Sequence, residues 1–214
     1  MSISALILGD PGSGKSTSLR NLDPAHTLLI QTIRKPLPFP SKGWSEFSKD
    51  NPKGNIFVTD QAHEIIRLMK KTKREIIILD DWNLLMTNEF FRRSAEAGFS
   101  KFSEIGRNAW DVLMASSSLA PNVRVYLLGH VDTDETGHIK AKTIGKLISE
   151  KCPVESMFSI VMRTSVFNGN YLFHTQSNGS DTCKTPMQMF ADEMMPNDLA
   201  EIDKIIFSYY GLVA

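Results

Sequence analysis

The sequence predicts an α/β fold with a mainly parallel central sheet flanked by helices and a C-terminal antiparallel β-hairpin. The first two thirds of the chain alternate short apolar stretches with helical patterns, which is typical of a parallel sheet covered on both faces. The run Ile76-Ile77-Ile78-Leu79 is continuously apolar and ends in Asp80-Asp81, as expected of a strand buried on both faces. Asn168-Gly169 lies between two apolar segments and is a strong short-range hairpin signal.

Length and composition limit the possibilities further. The chain has 214 residues, of which 42% are apolar, and this suits one domain over residues 1–214. Its 24 basic and 24 acidic residues give zero formal net charge, so any nucleic-acid contact must come from a local basic patch. No apolar run is long enough for a membrane span, and the N-terminus lacks the basic region of a signal peptide. We expect a cytoplasmic protein whose cysteines, Cys152 and Cys183, are reduced thiols.

The elements of the first two thirds follow from periodicity and from breaker residues. Strands are predicted at residues 3–8, 26–33, 55–59, 76–79 and 123–128, and helices at 15–21, 60–73 and 84–119, the last interrupted near 97–98. Asp60 is expected to cap the second helix, with Glu64 in its first turn. Three alternating prolines in the segment Lys35-Pro-Leu-Pro-Phe-Pro predict an extended loop after the second strand.

The C-terminal third is predicted to contain a hairpin and a final helix. The polar segment 132–137 is expected to be a loop, and the hairpin strands are expected at 158–167 and 171–175. The last helix should begin after Pro196, with Asp198 and Glu201 spaced as a capping box. The side chains expected to face inward from it are Ile202, Ile205, Ile206 and Tyr209.

One motif carries the strongest chemical prediction. The pattern Gly-x-x-x-x-Gly-Lys-Ser, a P-loop, stands between a predicted strand and a predicted helix. Its backbone N–H groups can surround a β-phosphate, Lys15 can reach the β- and γ-phosphates, and the Ser16 hydroxyl can bind Mg²⁺. Thr17 is expected at the α-phosphate. The sequence therefore predicts binding of ATP with Mg²⁺ by Gly9, Asp10, Pro11, Gly12, Ser13, Gly14, Lys15, Ser16 and Thr17.

Polar residues at strand ends supply the candidate catalytic groups. Asp80 is expected to hold Mg²⁺ opposite Ser16. Asp81 can either polarise the attacking water or cap the helix that begins at Trp82. His130 ends the strand at 123–128 and is expected to face the γ-phosphate, the alternative being a solvated loop histidine.

Two groups of basic residues are candidates for nucleic-acid contacts. Lys140, Lys142 and Lys146 lie on or after the polar loop and either contact DNA or form a solvated face. The cluster Lys70, Lys71, Lys73 and Arg74 lies near a helix end, and it is interpreted as a solvated surface that complements the helix dipole.

The order of these elements resembles the RecA core, and several segments narrow the resemblance. They are Lys35-Pro-Leu-Pro-Phe, Leu128-Gly-His130, Phe158-Ser-Ile-Val-Met-Arg-Thr, Tyr171-Leu-Phe-His-Thr-Gln, Lys184-Thr-Pro with Met189-Phe190, and Pro196-Asn-Asp-Leu. Together they look like the phage-encoded RecA-like AAA-type ATPases, a group that includes phage single-strand annealing proteins related to the Rad recombinase core. The resemblance spans nearly the whole chain.

This resemblance implies a RecA-like P-loop fold, ATP binding, and annealing of single-stranded DNA in bacteriophage recombination, in the cytoplasm of a bacterial host. It also implies a homo-oligomer, a single-strand-binding protein as a further partner, and Arg163 and Lys184 as residues that reach a neighbour's phosphates. The chain departs from the RecA pattern because its second strand ends in Gln31-Thr32-Ile33-Arg34, without an acidic residue. The catalytic base is therefore open between Asp81 and Glu89, and ATP hydrolysis is expected to be weak or modulated by DNA.

Two other functions remain open from the sequence. The P-loop sequence also fits a small P-loop nucleotide kinase, which would need an arginine-rich segment to close over the phosphates. The missing acid fits a binding module that ATP switches without useful hydrolysis.

Overall fold

The protein has an α/β fold built on a mostly parallel eight-stranded sheet. The computed structural model describes residues 1–143 and 153–213, and the statements below concern those residues. The strands are β1 (Ile3–Leu8), β2 (Thr27–Gln31), β3 (Ile56–Val58), β4 (Ile76–Asp80), β5 (Arg124–Gly129), β6 (Val131–Thr133), β7 (Ile139–Ala141), β8 (Ile160–Phe167), β9 (Asn170–His174) and β10 (Met194–Pro196).

The sheet has the strand order β10-β9-β8-β1-β5-β4-β2-β3. Neighbouring strands from β8 to β3 in that order are parallel, whereas β8–β9 and β9–β10 are antiparallel. Every residue of β2, β4 and β5 is buried, as the apolar runs predicted. Because parallel strands end at the same edge, the carboxyl ends of β1, β4 and β5 lie side by side.

Helices cover both faces of the sheet. They are α1 (Ala62–Lys71), α2 (Trp82–Arg92), α3 (Ser100–Ser116) and α4 (Leu199–Tyr209), with short 3-10 helices at Ser16–Asn21 and Val154–Met157. The first three α-helices pack on one face through residues such as Ile65, Leu85 and Val112. Helix α4 and the 3-10 helix Ser16–Asn21 pack on the other face through residues such as Ile202 and Leu19.

Two predictions about helix starts need correction. Gln61, not Asp60, precedes α1, and no side chain of the described residues caps that helix, because the Asp60 carboxylate pairs with Arg92 instead. The helix after the P-loop is 3-10 rather than α, since six residues between the loop and Leu22-Asp23-Pro24 leave room for a short helix only. The break near Gly98 in the 84–119 segment is confirmed.

The polar segment 132–137 is not the plain loop that the sequence predicted. Residues 132 and 133 belong to β6, which pairs with β7 in a second, antiparallel sheet, and residues 134–137 are in the turn between these two strands. Asp134 closes the turn because its Oδ1 accepts hydrogen bonds from the backbone N–H groups of Thr136 (2.9 Å) and His138 (3.0 Å). The strands β6 and β7, of three residues each, lie in a polar segment and show too short an alternation of hydrophobicity to be predicted.

The C-terminal hairpin is confirmed, with Asn168 (φ 51°) and Gly169 (φ 77°) in the left-handed conformations that its tight turn requires. Asp198 caps α4 by accepting from the Ala200 N–H at 3.0 Å. The reciprocal half of the expected capping box is wrong, because Glu201 pairs with Lys204. Tyr209 is 43% exposed rather than inward-facing.

Two features bear on location and redox state. No helix among the described residues is both long enough and apolar enough to cross a membrane. Cys183 is buried and is not in a disulfide in the part of the chain that the structure describes. Cys152 lies outside the described residues.

Candidate functional site

The P-loop wraps the carboxyl end of β1. Gly12 (φ 79°) and Gly14 (φ 100°) adopt left-handed conformations that side chains with a Cβ rarely reach. Gly9 is required for a different reason, since a Cβ there would lie 2.1 Å from the Thr164 Oγ1 on β8 and 2.5 Å from the Ser13 Oγ. Ser13 and Thr164 share a 2.6 Å hydrogen bond, so β8 supports the loop from behind.

Lys15 lies inside the loop that it terminates. Its ammonium group donates to the backbone carbonyl oxygens of Gly9 at 2.6 Å and Asp10 at 3.0 Å. Burial lowers the pKa of Lys15, and the negative charges of Asp81 and Asp80 oppose that shift. The cation is therefore held among carbonyl oxygens and close to the two carboxylates.

Asp80 and Ser16 meet at the end of β4. The Ser16 hydroxyl lies 3.2 Å from Oδ1 and 3.1 Å from Oδ2 of Asp80, whose side chain is 1% exposed. A second positive group reaches the same carboxylate, because Lys35 Nζ lies 3.2 Å from Asp80 Oδ2. A serine hydroxyl and a carboxylate are hard oxygen donors of the kind that Mg²⁺ prefers, so this donor pair fits that ion.

Asp81 and His130 form an adjacent pair. The Asp81 Oδ1 accepts from the Asn83 N–H at 3.1 Å and caps α2, whereas Oδ2 lies 2.5 Å from His130 Nε2. The peptide bond between Asp80 and Asp81 is cis. The Asn83 side chain accepts from the His130 N–H at 2.7 Å and donates to the Lys142 carbonyl oxygen. The cap that the sequence proposed for Asp81 is thus present, and the same carboxylate also contacts His130.

These groups line one open cleft of about 330 Å³. Its walls come from the P-loop, from the segment 35–38, and from Asp80, Asp81 and His130 at the ends of β4 and β5. Lys15, Ser16 and Thr17 all reach it. The P-loop and strand-end residues that the sequence selected are therefore brought together at the carboxyl edge of the sheet.

Two other residues that the sequence analysis named as candidates for the site lie outside the cleft. The Glu89 carboxylate accepts from the Asn108 amide (2.8 and 3.1 Å) and from Arg93 (3.1 Å), and it does not line the cleft. Arg163 pairs with Asp181 at 2.8 Å and lines a different cavity, beside His174.

The candidate DNA-contacting lysines also lie outside the cleft. Lys140 belongs to β7 and is half-buried, and Lys142 just after it is exposed. Lys184, which the family resemblance implies as a contact to a neighbour's phosphates, is exposed and pairs through its backbone with Val161. Lys146 lies outside the described residues.

Lys35 and Thr164 are site residues that the sequence reasoning did not select. Lys35 follows β2 closely, but the sequence does not show that β2 lies beside β4, with Gln31 opposite Asp80. Arg34, which also follows that strand end, pairs with Glu46 instead, so a place beyond β2 does not by itself bring a cation to Asp80. Thr164 carried no signal, since its contact with the P-loop depends on β8 lying beside β1, and apolar strands do not reveal their order.

The sequence matches no protein-family model and shows no significant similarity to any curated protein. Function is therefore argued from the cleft and its surroundings.

Proposed function

We propose that this protein is a RecA-like ATP-binding protein that acts on single-stranded DNA in phage-type recombination, with slow or DNA-modulated ATP hydrolysis. The observation that carries the proposal is the meeting of Ser16 with the buried Asp80 in the cleft that Lys15 also lines. A phosphate-binding loop, a cation and a pair of oxygen donors for a metal are the parts that nucleotide phosphates require.

Each of these residues has a separate task in the proposed complex. Backbone N–H groups of Gly12 to Ser16 would surround the β-phosphate, and Lys15 would exchange its carbonyl partners for phosphate oxygens. Ser16 and Asp80 would hold Mg²⁺, and Thr17 would contact the α-phosphate. When bound, Mg²⁺ neutralises charge on the phosphate oxygens.

Hydrolysis would depend on the Asp81–His130 pair. The strand end after β2 carries no acid, and Glu89 is occupied by Asn108 and Arg93 away from the cleft. His130 therefore supplies the nitrogen base nearest the expected γ-phosphate, and Asp81 orients it. We expect a single imidazole, with no glutamate among the described residues that line the cleft, to give slow turnover.

The proposed link to DNA is supported by contacts between the cleft and the β6–β7 hairpin. β6 begins directly after His130, and the Lys142 N–H donates to the His130 carbonyl oxygen at 2.9 Å. Asn83 bonds to both His130 and Lys142, so a shift of His130 would be felt at the hairpin that carries Lys140. Annealing activity, the homo-oligomer and a single-strand-binding partner rest on the family resemblance.

The decisive test measures ATP binding, ATP turnover and strand annealing together, with and without single-stranded DNA. Lys15→Ala and Ser16→Ala should remove ATP binding, whereas Lys42→Ala, an exposed lysine outside the cleft, should bind as the wild type does. A wild-type protein that binds neither ATP nor single-stranded DNA at low salt would overturn the proposal.

A second function, an ATP-switched binding module without useful hydrolysis, is favoured by the position of Glu89 outside the cleft. The same experiment separates the two proposals. A module of this kind binds DNA differently with and without ATP but shows no turnover that His130→Ala can lower.

A further inference from the structure

The Lys35–Asp80 ion pair in the cleft joins two side chains of very different exposure. Lys35 is 38% exposed, whereas the Asp80 side chain is 1% exposed. A carboxylate buried to that degree is costly without a positive partner, and the Ser16 hydroxyl brings no charge. Lys35 therefore provides charge that balances Asp80.

The same carboxylate oxygens are the ones expected to bind a divalent cation. Lys35 contacts Oδ2, and Ser16 lies within 3.2 Å of both oxygens. An ammonium group and a divalent cation on one carboxylate repel each other strongly at such distances. A divalent cation held by Ser16 and Asp80 would therefore weaken the Lys35–Asp80 contact and favour release of the Lys35 ammonium group.

The chain around Lys35 leaves its side chain free to move while its backbone stays in place. The Gln31 amide donates to the Lys35 carbonyl oxygen at 3.2 Å, and Pro36 and Pro38 form part of the cleft wall with fixed φ angles. A released ammonium group would therefore turn within the cleft, where the most negative new partner is a terminal phosphate.

We propose that Lys35 contacts the terminal phosphate of ATP and thereby distinguishes ATP from ADP. Asp80 binds the Lys35 ammonium group until a divalent cation replaces that group on the carboxylate. This inference rests on the proposed nucleotide site. Lys35 and Mg²⁺ are thus alternative partners of the Asp80 carboxylate, and Lys35 contacts the γ-phosphate when Ser16 and Asp80 hold Mg²⁺. The segment 35–38 then responds to whether ATP or ADP is bound, because it lines the cleft through Lys35 and its prolines.

The test compares dissociation constants for ATP and ADP, each with Mg²⁺, measured by titration calorimetry on the whole protein. Lys35→Gln should weaken ATP binding about 10-fold or more, the size of one charged hydrogen bond, and leave ADP binding unchanged or tighter. Lys35→Arg should keep the preference for ATP, and Lys42→Gln, an exposed lysine seven positions further on, should behave as the wild type.

A second measurement uses Mg²⁺ alone, without nucleotide. Because Lys35 competes for Asp80, Lys35→Gln should be stabilised in a thermal melt at lower Mg²⁺ concentrations than the wild type. Equal losses of ATP and ADP affinity, or an unchanged response to Mg²⁺, would overturn the inference. Either result leaves the proposed nucleotide site standing if the wild type binds ATP and Lys15→Ala does not, whereas failure of the wild type to bind ATP removes both.

Discussion

In the proposed mechanism, His130 and Asp81 would share the tasks of a general base. One oxygen of the Asp81 carboxylate caps the N-terminus of α2 and the other contacts His130, so both oxygens already have partners within the protein. His130 is 28% exposed and lines the cleft, which leaves it able to receive a proton. Histidine is also the side chain that most often transfers protons in enzyme sites, so the chemistry of His130 suits the role.

His130→Ala should therefore lower ATP turnover by about 10²–10⁴-fold and leave the ATP dissociation constant within a few-fold of the wild type. Steady-state hydrolysis and calorimetric binding, measured on the same preparations, check both halves. Asn108→Ala serves as the control, because it removes a partner of Glu89 and leaves the cleft intact. Turnover that survives His130→Ala and falls with Glu89→Gln would assign the base to Glu89 instead.

The P-loop residues, Asp80 and His130 were all predictable, because their spacing or their place at a strand end carries a chemical meaning. Lys35 was not, since a lysine before a run of prolines has the composition of an ordinary loop. Its role appears only once β2 lies beside β4. Side chains that can take part in the chemistry are easier to predict from sequence than the side chains that hold them in position.

Helix α4 is fastened to the sheet by a buried ion pair. Arg124 on β5 donates to the Asp203 carboxylate at 3.0 and 2.8 Å, and the Tyr126 hydroxyl donates to the same group at 2.6 Å. Both charged side chains are 9% exposed. Helix α4 also packs against the 3-10 helix Ser16–Asn21 that follows the P-loop, so this ion pair helps to hold that helix in place.

Asp203→Ala should lower the free energy of unfolding by about 3–5 kcal/mol, because it leaves the Arg124 charge buried without a partner. Urea denaturation followed by circular dichroism measures the change. Lys204→Gln, on the same helix, breaks an exposed pair with Glu201 and should change stability far less, because water screens that pair. Similar small losses for both variants would show that Arg124 finds another partner or water.

The β8–β9 hairpin contains a histidine whose titration should affect stability. Burial and the positive charge of Arg163 lower the pKa of His174 below its ordinary 6.5, and Asp181 opposes the shift. The unfolded chain then takes up its proton at a higher pH than the folded protein does. His174 should therefore cost stability as the pH falls through 6.5 toward its folded pKa, and cost nothing above 6.5.

His174→Gln should accordingly lose less stability than the wild type between about pH 7.5 and about pH 5.5. Urea denaturation at the two pH values gives the comparison. His26→Gln is a control of opposite sign, because the hydrogen bond with Glu75 raises the pKa of His26. That histidine adds stability below 6.5, which is lost as the pH rises through its folded pKa. Identical pH dependence of His174→Gln and wild type would contradict the placement of His174.

Among the elements, segments with a strong local signal were predicted well, whereas the short strands β6, β7 and β10 were not. The strand Ile76–Asp80 and the hairpin at Asn168-Gly169 have strong local signals. The three-residue strands β6 and β7 depend on pairing with each other and on the Asp134 turn. Asp60 looked like a helix cap but satisfies Arg92 from α2, a partner that only the tertiary fold supplies.

The sheet order explains why distant residues form one site. β5 lies between β1 and β4, so His130 at its end is placed between the P-loop and Asp80. Alternating strands and helices predict a parallel sheet, but they do not predict this order, since each of these strands is apolar and fits either neighbour. The β6–β7 hairpin leaves the same edge and places Lys140, and Lys142 just after it, beyond the cleft, together with the acidic residues Asp132, Asp134 and Glu135.

The whole molecule has no net charge, so single-stranded DNA must be held by a local group of lysines if it binds at all. We expect Lys140 and Lys142 to belong to that group, because they lie on or next to β7 and are tied to the cleft through His130 and Asn83. Replacing both with glutamine should weaken DNA binding and flatten its dependence on salt by about 0.7 for each phosphate that the protein no longer neutralises.

Fluorescence anisotropy with a labelled oligonucleotide, at several salt concentrations with and without ATP, measures this slope. The matched control is the double variant Lys70→Gln/Lys71→Gln, which removes the same charge from the exposed end of α1. If both double variants lose affinity equally, the DNA responds only to total charge and the hairpin has no special role. If only the Lys140/Lys142 variant loses affinity, and the loss is larger with ATP than without it, nucleotide and DNA communicate through the hairpin that begins at His130.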